Sequence, residues 1–223
     1  MNNIKQFHES AIIYDNVQIG DNAIVEAFAI IGLHDRFHEQ EKVSIGDHAF
    51  IGSRCTIYDN VVAGIHFDIS DQTTIFYNNR FGDNCRIGPK AIIKNGCIVG
   101  NQVRINAKVF MEEVVIGSMV FIGPGVTFTD DIHPPCPKRT NCVPKSIVED
   151  YVSIGANVVI APGIRIGHHT QIYAGSIVVK DVEPYSVIAG NPGKRIKDIR
   201  ELKCRSGYFD KPFIWWDENV KIS

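Results

Sequence analysis

The chain has 223 residues, 44% of them hydrophobic, and its 23 basic and 25 acidic side chains leave a formal charge of -2. That is enough material for one substantial core, while a near-neutral balance without a basic run argues against nucleic acid as the main partner. No apolar run approaches the roughly 18 residues that span a bilayer, and the opening MNNIKQFHES has no apolar signal core, so a cytoplasmic protein with no membrane span is expected.

Aliphatic residues recur every six positions from Ile13 through Ile19, Val25 and Ile31, so the N-terminal residues already belong to a repeat and no separate nucleotide-binding domain is expected ahead of it. Residues Leu33 to Lys42, LHDRFHEQEK, are polar and out of phase, which predicts a loop thrown out from a corner. His34 and His38 within it read as surface residues. An unbroken run then extends from Ile45 to Asn106: IGDHAF, IGSRCT, IYDNVV, AGIHFD, ISDQTT, IFYNNR, FGDNCR, IGPKAI, IKNGCI, VGNQVR, INAKVF. A period of six is neither 3.6 nor 2, so it marks a stacked solenoid and not one helix or one alternating strand. Gly46, Gly64, Gly82 and Gly100 recur every eighteen residues, and Tyr58, Phe76 and Lys94 do so in another register, so three hexads make one coil of a triangular prism. First-place aliphatics and small fifth-place residues, Cys55, Cys85 and Cys97 among them, should face inward, the thiols as small hydrophobes. Gly at a corner is expected to supply an unusual φ. His48, His66 and His169 fall at outward fourth places and read as surface residues. Asn79 is polar at an inward place, either hydrogen-bonded in the core or distorting a coil where an acceptor binds, which makes Asn78, Asn79 and Arg80 candidate acceptor contacts.

The register slips by one residue across MEEVV, and a bulge near Glu112 or Glu113 would absorb it. The pattern returns at Ile116 and fails from Asp130 to Ser146, where DIHPPCPKRTNCVPKS carries four Pro and no hexad. This predicts an ejected loop at about 129–147, and long irregular loops in compact folds are usually functional. Hexads resume at Val148 and end at VVKDVE. A short helix is then expected from about Lys194 to Leu202, followed by a tail with Tyr208, Phe209, Phe213, Trp215 and Trp216 that would cap or brace the prism, on its own chain or across a subunit boundary. The division is therefore 1–192 for the repeat domain and 193–223 for helix and tail. In the ejected loop His133, Cys136 and Cys142 form a His-x2-Cys-x5-Cys cluster, chemically able to hold zinc or, as a Cys pair, a disulfide. Zinc wants four ligands, the spacing fits no common finger, and Cys204 would join only if the tail folded back. No metal is expected, and loop packing is the preferred reading of the two thiols.

The hexads resemble the left-handed parallel β-helix of the hexapeptide-repeat acyltransferases. The expected fold class is thus all-β, a left-handed parallel β-helix of triangular section with 18-residue coils, its handedness implied by the resemblance alone. Phe128 to Pro134, FTDDIHP, resembles the segment of the sugar O-acetyltransferases of this family in which an aromatic and a Thr precede a His-Pro pair. The resemblance makes His133 the general base, with Asp130 and Asp131 beside it as acceptor contacts. The stretch VSIGANVVIAPGIRIGHHTQIYAGSIVVKDVEPYSVIAGNPGKRIKDI resembles the coenzyme A-binding end of the same family. It implies contacts to acetyl-CoA from Ala156, Ala174, Gly175, Lys180, Lys194 and Lys197, with Arg195 as an addition. Small residues would admit the pantetheine arm, and Lys and Arg would meet the phosphates. The implied protein is a homotrimer that acetylates a sugar, with a nucleotide-linked amino sugar of surface-polysaccharide synthesis as the expected acceptor. A γ-type carbonic anhydrase-like zinc enzyme and a non-catalytic scaffold are the alternatives. The first lacks its clustered His pattern here, and the second has no use for the His-bearing loop.

Overall fold

In a computed structural model the chain is described at residues 5–36, 39–138, 142 and 144–216. Strands of two to five residues follow one another around three faces, and apart from the last one, which is antiparallel, they pair in parallel with the strands of the coils before and after. The three sheets hold eleven, nine and eight strands, and the solenoid makes about ten turns, as the left-handed β-helix of the resemblance requires. The first face carries Phe50–Ile51, Asp68–Ile69, Arg86–Ile87, Arg104–Ile105 and Phe121–Ile122, the second Thr56–Tyr58, Thr74–Ile75 and Ile92–Ile93, the third Val61–Ala63, Asn79–Phe81 and Ile98–Val99.

The six-residue period is the length of one short strand plus one corner. First-place residues such as Ile51, Ile69, Ile87 and Ile105 are 0–2% exposed, and fifth-place Ala49, Cys55, Cys85, Ala91 and Cys97 are 0–1% exposed, so both predicted rows line the core. Inside the prism each side chain sits on its equivalent in the next coil. Close packing there leaves no room for a change of size.

The second-place glycines have a different cause from the expected one. Positive φ falls instead at the fourth place, at Asn22, His48, His66, Asn84, Gln102, Met119, Tyr151 and His169 along one edge. Gly46, Gly64, Gly82 and Gly100 have ordinary φ but no space. A Cβ on Gly46 would lie 2.6 Å from the Gly64 carbonyl carbon, and one on Gly64 would meet Asp83 Oδ1. That oxygen is engaged: Asp83 Oδ1 accepts from the Ile65 N–H at 3.0 Å, Asn101 Oδ1 from the Asp83 N–H at 2.8 Å, and Asp150 Oδ1 from the Ser118 N–H at 2.7 Å. A third-place Asx in one coil thus satisfies a corner N–H of the coil before it, directly over a glycine.

Two further expectations are revised and one alternative is decided. The slip at Glu112 and Glu113 is not a bulge: Ile98 pairs with Val115 and Val99 with Ile116 without a register shift, so the missing residue comes out of the corner, where Glu113 takes φ 51°. No helix spans Lys194 to Leu202. Lys194–Asp198 is a strand antiparallel to Ser186–Ala189, and a single 3-10 turn, Ile199–Glu201, follows, capped by the Asp198 carboxylate. Asn79 resolves to the core reading, for it is 0% exposed. Its Nδ2 donates to the Phe76 carbonyl at 2.7 Å and its Oδ1 accepts from the Cys97 N–H at 2.8 Å. His38 lies outside the described residues.

The tail folds back on its own prism. Ile214–Trp216 forms a 3-10 turn, Phe213 and Trp216 stack at 4.2 Å, and Trp216 meets His169 and Tyr151 edge-on at 5.7 and 6.4 Å.

Replacing Asn79 with Ala strands a buried N–H and carbonyl and should cost about 2 to 3 kcal/mol in chemical denaturation. Gly64→Ala should cost at least about 2 kcal/mol through the clash. Gly175→Ala, where φ is +73° but nothing lies within 4 Å of the new Cβ, should lose no more than about 1 kcal/mol. Equal losses at the two glycines would refute the steric account.

Candidate active site

Three features converge on the edge between the second and third faces. The Leu33 to Lys42 loop and the 129–145 loop both leave from it, and the shortened corner at Glu112 and Glu113 lies on it one coil before the second loop. Shortening that corner makes room at the base of the loop. Lys145 enters there, donating to the Gly96 carbonyl at 2.8 Å, and with Glu112, Glu113, Thr129, Asp130 and Ser146 it lines a small polar cleft of about 10 Å³. Glu112 is 8% exposed and Asp130 half-buried. Neither Lys145 nor Glu112 is a site candidate from the sequence. The slip itself is the available signal, since a missing residue next to an ejected loop marks one locality.

Within the loop, Asp131 acts on the backbone. Its Oδ1 accepts from the His133 N–H at 2.9 Å and its Oδ2 from the Cys136 N–H at 2.7 Å. This Asx turn holds His133, an exposed residue, immediately before Pro134 and Pro135. Thr129 anchors the strand end by donating Oγ1 to the Ile160 carbonyl at 2.9 Å. The Cys142 thiol is pushed up by partial desolvation and by its contact with the Cys136 thiol; both are free. Among the described residues no three His, Cys, Asp or Glu side chains gather to hold a metal ion.

The coenzyme candidates fall elsewhere. Ala156, Ala174 and Gly175 stack in consecutive coils on the edge between the first and second faces, and the Gly175 N–H donates to the Ala156 carbonyl at 2.8 Å. Open space beside Gly175 and a half-exposed Ala156 leave that edge approachable. Lys194, Arg195 and Lys197 lie above it on the closing hairpin, Arg195 paired to Asp198 at 3.1 Å. Lys180 stands apart, past Ile177–Val178 at the next corner. Lys180 thereby shares the edge that the His133 loop leaves, two coils further on, whereas the second face lies between His133 and the other candidates. Asn78 holds a positive-φ corner, and Arg80 is spent within the prism, donating Nη1 to the Asn60 carbonyl and Nη2 to Asn60 Oδ1, each at 2.6 Å.

His34 is a surface residue with a role in the fold. Its Nδ1 meets Asp59 Oδ2 at 2.8 Å, and that carboxylate, 2% exposed, also accepts from the Glu41 N–H at 3.2 Å. The pair pins both ends of the first loop.

The family described as the hexapeptide repeat of succinyl-transferase matches residues 42–66, 79–110 and 146–180. A 2,3,4,5-tetrahydropyridine-2,6-dicarboxylate N-acetyltransferase of Brevibacillus brevis is 44% identical over 85 residues, 38% of this chain and 33% of that protein. The chain thus spans about a third of the length of the curated relatives it matches. The UDP-N-acetylglucosamine acyltransferase of Campylobacter jejuni superposes with a TM-score of 0.70 at 18% identity, over 90% of this chain and 79% of that one. The polySia-specific acetyltransferase NeuO does so at 0.50 with 23% identity, over 85% and 87%. At those identities the two structures speak for the fold.

Thiol chemistry separates the six cysteines. Burial first of all pushes Cys55 and Cys85 up to about 11 and Cys97 to about 12, whereas the Ser206 hydroxyl and the Phe209 N–H lower Cys204 to about 7. A lowered value means more thiolate at neutral pH, so iodoacetamide at pH 7 should label Cys204 at least about tenfold faster than Cys142 and leave Cys55, Cys85 and Cys97 untouched. Peptide mass spectrometry over time reads the order.

Proposed function

We propose that this chain, built throughout of hexapeptide repeats, transfers an acetyl group from acetyl-CoA to a sugar, with His133 as the general base. The observation that carries the reading is the ejected loop: on a prism whose inward side chains are committed to stacking, an Asx turn at Asp131 holds His133 exposed on a loop that leaves the same edge as the polar cleft. In this mechanism the imidazole takes the proton of the acceptor hydroxyl or amine as that group attacks the thioester carbonyl. The tetrahedral intermediate collapses with coenzyme A leaving as the thiolate, which recovers the proton from His133. No acyl-enzyme is needed. The relatives named as acetyltransferases support the reaction class.

Acetyl-CoA would lie along the Ala156, Ala174 and Gly175 edge, its phosphates near Lys194, Arg195 and Lys197. Because the second face separates that edge from His133, the complete site takes the loop of a neighbouring copy, which is the reason for proposing a homotrimer. The outward row of the second face suits such a contact, with Ile12 52% and Ile92 42% exposed. Hydroxyl and amine acceptors are both compatible with the base, and a nucleotide-linked amino sugar of surface-polysaccharide synthesis in the cytoplasm is the proposed acceptor.

In a thiol-release assay over a panel of sugars and nucleotide-linked amino sugars, His133→Ala should lower kcat about 10²- to 10⁴-fold on a hydroxyl acceptor. The loss should be smaller on an amine that can shed its proton to water. Acetyl-CoA should raise Tm equally in wild type and variant. Full activity of the variant on the best acceptor defeats the assignment of the base; no activity on any acceptor together with no thermal shift defeats the reaction class.

A further inference from the structure

The first face carries a groove of about 630 Å³ that the coenzyme edge and the loop edge leave unused. Its floor is the outward row of five consecutive coils, Phe50, Asp68, Arg86, Arg104 and Phe121, with Trp216 of the tail closing the end on the Phe121 side. The volume lies within the range of small-molecule sites.

Charge is the unusual feature. Arg86 and Arg104 are direct register partners on adjacent strands, so two cationic side chains leave the same face from backbones about one strand spacing, roughly 4.8 Å, apart. Like charges in that relation are destabilising. Arg86 has only a loose contact, Nε to Asp68 Oδ2 at 3.7 Å, and no described residue offers the Arg104 guanidinium an acceptor. Neither arginine supports the fold in the way Arg80 does. An anion with two phosphoryl groups would relieve the repulsion and take forked hydrogen bonds from both.

The ends of the groove name the rest of the ligand. Phe121 is 38% exposed, and Trp216 is fixed in place by edge contacts with His169 and Tyr151, so a preset aromatic wall awaits a planar partner next to the cationic pair. On the other side of the pair Asp68 offers a half-buried carboxylate. We infer that this groove binds a nucleoside diphosphate, with the base against Trp216 and Phe121 and the diphosphate on Arg104 and Arg86. A free nucleotide and a sugar carried on one share this chemistry; in the second case Asp68 would accept from the amino or hydroxyl groups of the sugar. Binding itself stands apart from acetyl transfer, and only the sugar-linked case rests on the acceptor class proposed above.

The test titrates the full chain, held in saturating coenzyme A so that the coenzyme's own phosphates do not share the signal and no acetyl group is transferred, with UDP and separately with GDP. A Trp215→Phe background leaves Trp216 as the fluorescent reporter, and calorimetry gives the affinity. At least one nucleotide should quench Trp216, and its nucleoside should bind at least about tenfold more weakly. Arg104→Gln and Arg86→Gln should each weaken binding about tenfold, Arg104→Lys less, with the thermal shift by acetyl-CoA unchanged. Tighter binding of UDP-glucosamine than of UDP, abolished by Asp68→Asn, identifies the sugar-linked source, and equal binding identifies the free nucleotide. No quench and no heat from either nucleotide at millimolar concentration overturns the inference, as does wild-type affinity in both arginine variants. Failure of acetyl transfer with binding intact leaves the groove standing and sinks only the reaction.

Discussion

Everything in this molecule depends on parallel strands stacking in unbroken register, coil on coil. The backbone hydrogen bonds run along the prism axis, so each coil satisfies the one before it, and the corners are where that arrangement is most easily lost because the chain turns there and N–H groups point outward. The Asx side chains of the third place close the gap. Asp83, Asn101 and Asp150 each accept a corner N–H from the preceding coil, and each needs a glycine beneath it. Sidedness comes from the same constraint. The interior is fixed by stacking, the corners by these bonds, and chemistry is left to whatever is thrown outward or carried on the faces.

The prism is legible because a period of six with glycine every eighteen residues admits one architecture, and the buried rows fall on the predicted places from Ile45 to Met111. The cause of the glycines is not. Composition cannot tell a glycine chosen for its φ from one chosen for its lack of volume, and only the closeness of the next coil decides it. The helix expected at Lys194 gives way for a related reason. The three-residue spacing of Ile196 and Ile199 favours a helix locally, but an open sheet edge at Ser186–Ala189 supplies hydrogen bonds that a lone turn of helix cannot match. The ejected loop is legible from its prolines, but its partners are not, because Lys145, Gly96 and Glu112 come together only across coils.

His133 and the coenzyme candidates illustrate how a solenoid separates functions. Residues close in sequence can sit on different edges, as Lys180 does relative to Gly175, while residues far apart share an edge, as Glu112 and Lys145 do. In a fold of this kind an edge is a more useful unit than a segment.

The coincidence of the two loops on one edge has an arithmetical consequence. They are separated by five steps along the second sheet, a whole number of coils. Adding or removing three hexads between them would lengthen or shorten the column by about 4.8 Å and leave every downstream residue facing as before. Adding one hexad would instead turn the whole upper column by a third of a revolution, carrying His133 to another edge. Loss of a single residue at Glu112 is tolerated because a corner absorbs it without rotating the coils beyond. Length changes in this lineage should therefore come in eighteens or be hidden in corners, so the chain behaves as a counter whose unit is the full turn.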